Sequence, residues 1–173
     1  LQFFINVIGV FAILSGIKAI GQIYLGLDPI EQAWIDSSGK WTHLIWGKVR
    51  AFSFYSDAAV FGDLQSFTFV LFFMLLISKT STRQKYFYLS VIFFSLFGFI
   101  LSGTRGAVYI PFIALFLYGL IRKGFVSFFA TAFVVLLMFG FLNYTNIGQS
   151  YPKIARVRSA FNYKDQSFQV RMK

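Results

Sequence analysis

The stretch Leu101-Ser102-Gly103-Thr104-Arg105-Gly106-Ala107 places an arginine between two glycines, with a long apolar run on each side. The flanking runs, 86–102 and 107–121, are predicted to be membrane-spanning helices because they contain almost no charged residues. A charge at the edge of a bilayer is costly, and it usually has a partner inside the protein or binds an anion. The stretch therefore predicts a membrane fold and marks Arg105 as a candidate functional residue.

The composition supports the same class of protein. Of the 173 residues, 57% are hydrophobic and 13% are charged, whereas a soluble domain carries about 25% charged residues. The apolar residues form long runs without amphipathic spacing, so we predict an all-α, polytopic transmembrane protein. The absence of cysteine excludes disulfides, thiolate metal sites and cysteine nucleophiles. One histidine and six acids offer little material for a metal site, and we expect neither a metal nor a cofactor.

Five spans are predicted, at 1–25, 58–78, 86–102, 107–121 and 125–142. An outer loop at 28–56 separates the first two spans and contains all three tryptophans, which suit the headgroup layer. The segment 143–173 is interpreted as the start of a large outer loop. Because the chain begins inside an apolar run without an initiator methionine, we expect it to be a fragment of a longer protein.

The loop charges predict the orientation. The short loops at 79–85 and 122–124 contain five cations and no acid, so the positive-inside rule assigns them to the cytoplasmic side. The loop at 28–56, the turn at 103–106 and the segment from 143 then face outward. The net charge of +10 lies mainly in loops between spans, so we expect anionic membrane lipids or a phosphate-bearing substrate as partners, and no nucleic acid.

The predicted position of Arg105 suits a phosphate group. The fourth span begins just after it, and a helix N-terminus exposes unpaired N–H groups and a positive dipole end. Thr104 can cap that helix or donate its hydroxyl, and the arginine side chain offers a planar fork that matches phosphate oxygens. The alternative is an interfacial arginine that contacts lipid headgroups or caps the third span.

Three stretches carry a resemblance to a known family. Ile100-Leu101-Ser102-Gly103-Thr104-Arg105-Gly106-Ala107 resembles the Ser-(Gly/x)-(Ser/Thr)-Arg-Gly-Ala segment of the bacterial O-antigen ligase and O-antigen polymerase superfamily. The segment 50–62 is similar to the outer loop that leads into a span in that family, and 158–171 is similar to the start of its large periplasmic loop. The resemblance covers roughly residues 22–173.

The resemblance implies a glycosyltransferase on the outer face of the bacterial cytoplasmic (inner) membrane, similar in architecture to the C-type membrane glycosyltransferases. The implied donor is a glycan on undecaprenyl pyrophosphate, and the acceptor is a sugar hydroxyl of lipid A core or of a second repeat unit. No metal is implied. By position in the motifs, Arg105 and Arg171 are the expected catalytic residues. Arg50, Thr104 and Arg158 are expected to bind substrate.

Three further residues are interpreted from the sequence. Asp63 lies inside the second span, so we expect it to pair with Lys18 or Arg50, or to act as a base for the attacking hydroxyl and contact the substrate. Asp57 is predicted to cap the second span. His43 is interpreted as an ordinary surface residue of the outer loop.

Two other classes of function stay open. A transporter or flippase for an anionic lipid-linked glycan would use the same arginines to guide the headgroup. Such a protein is expected to show paired discontinuous helices in repeated halves, and the sequence shows no internal repeat. A non-catalytic membrane subunit of a polysaccharide assembly complex is the third reading. It predicts that neutral substitutions of the arginines leave function intact.

Overall fold

The computed structural model describes residues 1–39, 43–45, 47–78 and 81–121. Most of this part of the chain is helical. Its elements are α1 (Gln2–Tyr24), α2 (Pro29–Trp34) with a π-helical turn (Ile35–Gly39), β1 (Leu44–Ile45), β2 (Lys48–Val49), α3 (Ala58–Ile77), α4 (Thr82–Ser102), a 3-10 turn (Gly106–Val108) and α5 (Tyr109–Ile121).

Three of these helices, α1, α3 and α4, are long and apolar enough to cross a membrane. They confirm three of the predicted spans. The fourth predicted span falls on α5, a shorter apolar helix of 13 residues. The fifth predicted span and the segment from 143 lie outside the described residues. Helix α4 packs against both α1 and α3 and forms the centre of the bundle.

The ends of the helices differ from the predicted span limits because polar caps set them. Helix α4 begins four residues before the predicted start at 86, since Ser81 and Gln84 form a capping box that extends the helix through a polar first turn. It ends at Ser102, and its C-cap residue Gly103 has a left-handed φ of 59°. Beyond that point the 3-10 turn delays the start of α5 to Tyr109, two residues after the predicted start.

The outer loop contains more regular structure than the sequence predicted. Asp28 and Glu31 form a capping box at the start of α2. The strands β1 and β2 pair in an antiparallel hairpin, with Leu44 opposite Val49. The described part of the chain is mostly helical, as predicted, but the prediction of an all-α chain misses this small hairpin.

Small residues let the helices of the bundle approach one another closely. A Cβ on Gly16 of α1 would lie 2.9 Å from the Phe94 carbonyl oxygen of α4. A Cβ on Gly98 of α4 would lie 3.0 Å from the Phe61 ring and 3.1 Å from Gln65 Cγ of α3. Close packing of this kind stabilises helix association in a membrane, where burial from water is not a driving force between helices.

Candidate functional site: the Arg50 end of the bundle

The candidate site lies where α4 ends, α3 begins and the loop segment 50–57 crosses between them. We call this region the Arg50 end of the bundle. The Arg50 guanidinium donates from Nε to the Ser102 carbonyl oxygen at 2.8 Å and from Nη2 to Thr104 Oγ1 at 3.0 Å. The next residue, Ala51, donates its N–H to the Leu101 carbonyl at 3.2 Å. The outer loop is thus bonded to the end of α4, across more than 50 residues of sequence.

Thr104 is the centre of this network. Its hydroxyl donates to the Ala58 carbonyl at 2.9 Å, in the first turn of α3, while it accepts the bond from Arg50. Ser102 supports it, since the Ser102 Oγ lies 3.0 Å from Thr104 Oγ1 and accepts from the Thr104 N–H at 3.2 Å. Both side chains are buried. Thr104 therefore links the loop, α3 and α4, and it positions Arg50.

Gly62 makes room for these two hydroxyls. A Cβ at this position would meet the Ser102 hydroxyl, and it would lie 2.6 Å from Thr104 Oγ1 and 2.8 Å from Thr104 Cβ. One turn further along α3, Ser66 donates to the Ala107 carbonyl at 2.7 Å and ties the 3-10 turn to the same face. The face of α3 that carries Gly62 and Ser66 is therefore fitted to the segment 102–107.

Arg105 follows this network in the chain. It is half-buried and immediately precedes the 3-10 turn, where its carbonyl accepts from the Val108 N–H at 3.3 Å. Gly103, and not Arg105, caps the end of α4. A Cβ on the exposed Gly106 would have open space around it, so the backbone beside Arg105 is accessible within the described part of the chain.

The two arginines interact electrostatically. Burial lowers the pKa of Arg50, the Asp57 carboxylate raises it, and the positive charge of Arg105 lowers it. Arg50 is bonded to Thr104, the residue that precedes Arg105 in the chain. The Asp57 carboxylate also accepts a bond from the Ala59 N–H, which confirms its predicted role as the cap of α3.

His43 lies beside this region and is buried, so its interpretation as a surface residue is wrong. Its side chain is 1% exposed, and its ring lies 4.9 Å from both the Trp34 and the Phe52 rings. Its carbonyl accepts from the Arg50 N–H at 2.8 Å. Burial lowers the pKa of His43, and the nearby Asp57 raises it to a smaller extent. The aromatic side chains therefore favour the neutral ring.

A second network attaches the loop to α1 through Gln22. Its Oε1 accepts from the Phe52 N–H at 3.1 Å and the Ser53 N–H at 2.8 Å, and its Nε2 donates to Glu31 at 2.9 Å. Ser53 has a φ of 55°, unusual for a residue with a side chain. Its hydroxyl donates to the Ser15 carbonyl at 2.8 Å. These bonds hold a strained residue in place, and strain of this kind is concentrated at functional sites.

The expected pairing of Asp63 is wrong. Asp63 is exposed on α3 and makes no ion pair or hydrogen bond with another described residue. Lys18 pairs with Glu31 instead, at 2.9 Å, because Glu31 follows in the α2 capping box just beyond the end of α1. A substrate contact by Asp63 stays a prediction.

The structure thus brings together Arg50, Thr104 and Arg105 from the predicted site. Arg158 and Arg171 lie outside the described residues. Sequence reasoning missed Ser102, Gln22 and His43 as parts of the region. Gln22 carried a signal, since a polar amide inside an apolar span is expected to find an internal partner. Within the described ranges, no group of three histidine or acidic side chains could hold a metal ion.

Comparisons of the chain with protein-family models, with curated proteins and with solved structures give no match.

Proposed function

We propose that the chain belongs to a bacterial inner-membrane glycosyltransferase that moves a glycan from undecaprenyl pyrophosphate onto a sugar hydroxyl. The observation that carries the proposal is the bonding of Arg50 to the Ser102 carbonyl and the Thr104 hydroxyl, which brings it to the segment that carries Arg105. Arg50 and Arg105 come from two of the stretches that resemble the O-antigen ligase and polymerase superfamily. A pair of guanidinium groups suits the two or more negative charges of a pyrophosphate.

In this reaction the bond between the anomeric carbon and the pyrophosphate oxygen breaks. The acceptor oxygen forms the new bond to the anomeric carbon and loses its proton to a base. The leaving group is undecaprenyl pyrophosphate, whose oxygen gains negative charge as the old bond breaks. A cation fixed beside that oxygen stabilises the charge in the transition state more than in the ground state, which is the condition for catalysis.

The two arginines have different proposed roles. Arg50 uses Nε and Nη2 for the Ser102 carbonyl and the Thr104 hydroxyl, so we assign it to positioning the loop and to setting a positive field. Arg105 lies at the exposed Gly106 and is assigned to direct contact with the pyrophosphate. Thr104 fixes the backbone that carries Arg105. Arg171 and Arg158 would complete the donor site, and Asp63 is available to the acceptor.

The proposal is tested with the purified full-length protein, an undecaprenyl-pyrophosphate-linked glycan and a sugar acceptor, with mass spectrometry of the glycan product. We expect Arg105→Ala to lower the rate about 10²–10³-fold, as for loss of one group that stabilises transition-state charge. Arg105→Lys keeps the charge and loses the fork, so it is expected to have an intermediate rate. Arg83→Ala is the control, because Arg83 is exposed at the opposite end of α4.

Unchanged transfer in Arg105→Ala, at equal expression and the same melting temperature, would refute the assignment. A transporter would move the lipid-linked glycan across a liposome membrane without forming a glycosidic bond. A non-catalytic subunit would show neither reaction when purified alone.

A further inference from the structure

The loop between the hairpin and α3 turns back into the bundle. The segment 51–57 begins with a bond to the last turn of α4 and ends at Asp57, the cap of α3. Both ends of the segment are therefore held at helix ends. Between them, the Tyr55 N–H donates to the Phe52 carbonyl at 3.0 Å and closes a tight turn, which we call the 52–55 turn.

The 52–55 turn lies against the middle of α1 and not beyond its end. The Ser53 hydroxyl donates to the Ser15 carbonyl at 2.8 Å, and the centre of the Tyr55 ring lies 6.2 Å from that of the Phe11 ring. Ser15 and Phe11 lie roughly 14 and 20 Å before the C-terminal end of α1, at about 1.5 Å per residue. Because α1 is long and apolar enough to cross a membrane, the turn lies beside the interior of a span.

The backbone of the 52–55 turn finds its polar partners inside the protein. Gln22 of α1 accepts the N–H groups of Phe52 and Ser53 through Oε1, and its Nε2 donates to the Ser53 carbonyl at 3.3 Å. Irregular backbone lies at membrane depth only where such partners exist, since the hydrocarbon contains no water. On a loop outside the membrane, water would satisfy the same groups. A buried amide supplied from an apolar span therefore fits a turn inside the bilayer.

One side chain of the turn points out of the bundle. Phe54 is 55% exposed, whereas its neighbours Phe52 and Ser53 are buried. The Phe54 ring lies 6.0 Å from the Phe11 ring, and Phe11 and Leu14 are themselves about half exposed on α1. Phe54 therefore extends the apolar surface of a membrane-spanning helix.

The charges nearest to Phe54 form a closed pair. Lys18 lies about two turns, or roughly 10 Å, beyond Phe11 on α1, and its Nζ is 4.7 Å from the centre of the Phe54 ring. The ammonium pairs with Glu31 at 2.9 Å, and the same carboxylate oxygen accepts from Gln22 at 2.9 Å. Pairing of this kind lowers the cost of charges at the edge of the hydrocarbon. The Phe54 ring thus lies between this ion pair and the apolar middle of α1.

We propose that the 52–55 turn is re-entrant: it enters the hydrocarbon layer from the side of the Arg50 end of the bundle, and Phe54 contacts lipid acyl chains. Part of the predicted outer loop at 28–56 then lies inside the membrane. The left-handed conformation of Ser53 reverses the chain within the turn. A turn at this depth is expected in an enzyme, a transporter or a non-catalytic subunit alike, so it does not rest on the proposed function.

Single cysteines measure the depth of this side chain, because the 173 residues contain no cysteine. Phe54→Cys is compared with Phe67→Cys on α3, where the native phenylalanine is 56% exposed, and with Lys48→Cys in the exposed part of the hairpin. Cysteines elsewhere in the full-length protein are replaced with serine. Each variant is labelled with a nitroxide and reconstituted into vesicles of phosphatidylcholine and phosphatidylglycerol. Electron paramagnetic resonance then measures collisions of the label with oxygen and with a water-soluble nickel complex.

At position 54, we expect collisions with the nickel complex to be at least about tenfold less frequent than at position 48, because polar solutes are excluded from hydrocarbon. Collisions with oxygen, which is enriched in hydrocarbon, are expected to be as frequent as at position 67. Equal nickel collision rates at positions 54 and 48 would place the turn in water and overturn the proposal. Low rates with both reagents would show that protein covers position 54, and would overturn the lipid contact.

A second measurement uses the wild-type sequence and therefore does not depend on the folding of a variant. The full-length protein is reconstituted with a phosphatidylcholine that carries a diazirine in its acyl chain, irradiated and mapped by mass spectrometry. Label on Phe54 as well as on Phe67 would support the re-entrant turn. Label on Phe67 with none on the segment 51–57 would overturn it.

Discussion

Replacing Gly62 with alanine tests whether the network around Thr104 holds the candidate site together. The added Cβ would meet the Ser102 hydroxyl and would lie 2.6 Å from Thr104 Oγ1. Because Thr104 Oγ1 also joins Arg50 to the Ala58 carbonyl, it has no free direction in which to move. The substitution therefore forces either α3 or the segment after α4 outward.

The magnitude follows from three contributions. Overpacking of a close contact costs about 1–3 kcal/mol. Displacement of the Thr104 hydroxyl from the Ala58 carbonyl costs about 1 kcal/mol more. Alanine gains about 1 kcal/mol over glycine in a helix interior, which offsets the lost bond. We expect Gly62→Ala to lower the free energy of unfolding by about 1–3 kcal/mol and the melting temperature in detergent by several degrees.

The control is Gly21→Ala. Gly21 is also inside a helix, but a Cβ there meets nothing within 4 Å, so only the gain in helix propensity remains and the melting temperature is expected to stay equal or rise. Adding Ser102→Ala to Gly62→Ala removes the closest clashing atom. The double variant is therefore expected to lose less free energy of unfolding than the sum of the losses in the two single variants. If the melting temperature of Gly62→Ala equals that of Gly21→Ala and is not below that of the wild type, the reasoning is refuted.

Three further substitutions test other parts of the region, each by thermal unfolding of the purified protein. Gln22→Leu leaves the buried N–H groups of the loop without an acceptor and is expected to cost about 2–5 kcal/mol, whereas Gln32→Leu on exposed α2 should cost little; equal losses would contradict the role of Gln22. Asp57→Ala removes the cap of α3, and a loss outside about 0.5–2 kcal/mol would argue against a simple cap. Burial lowers the pKa of His43 below its ordinary 6.5, so the unfolded chain binds the proton more readily, and stability is expected to fall as the pH drops below about 6.5. His43→Phe should remove that part of the pH dependence, since the chain has no other histidine, and an unchanged pH profile would show that the ring does not cause it.

Hydropathy predicts the positions of the three long apolar helices well because the pattern is local. Helices α1, α3 and α4 fall on three of the predicted runs, since any long apolar segment must satisfy its own backbone bonds in a membrane. The limits of the helices were less predictable. The polar first turn of α4 has no apolar signal, and only the Ser81 and Gln84 capping box shows that the helix has already begun.

The contacts within the loop were not predictable in the same way. Gln22 interrupts an apolar run, but nothing nearby in sequence shows that its partners are Phe52 and Ser53, 30 residues later. His43 looks polar and exposed in sequence, and only the fold brings the Trp34 and Phe52 rings onto it. Hydrogen bonds between distant segments leave no periodic pattern, so polar residues of this kind are readily misinterpreted as solvent-exposed.

Residues 101–107 serve two purposes, which the structure assigns to different residues: some build the turn after α4, and Arg105 is presented at the surface. Ser102 and Thr104 lie within the stretch that resembles a glycan-transfer motif, yet both are buried. The Ser102 hydroxyl donates to the Phe99 carbonyl of the same helix, and the Thr104 hydroxyl donates to the Ala58 carbonyl of α3. Gly103 is needed for its left-handed conformation at the end of α4. Of residues 101–106, only the half-buried Arg105 and the exposed Gly106 are accessible to solvent. Ser102, Gly103 and Thr104 therefore build the turn and fix Arg50. This rigid support holds Arg105 beside a second positive charge, where an anion is favoured.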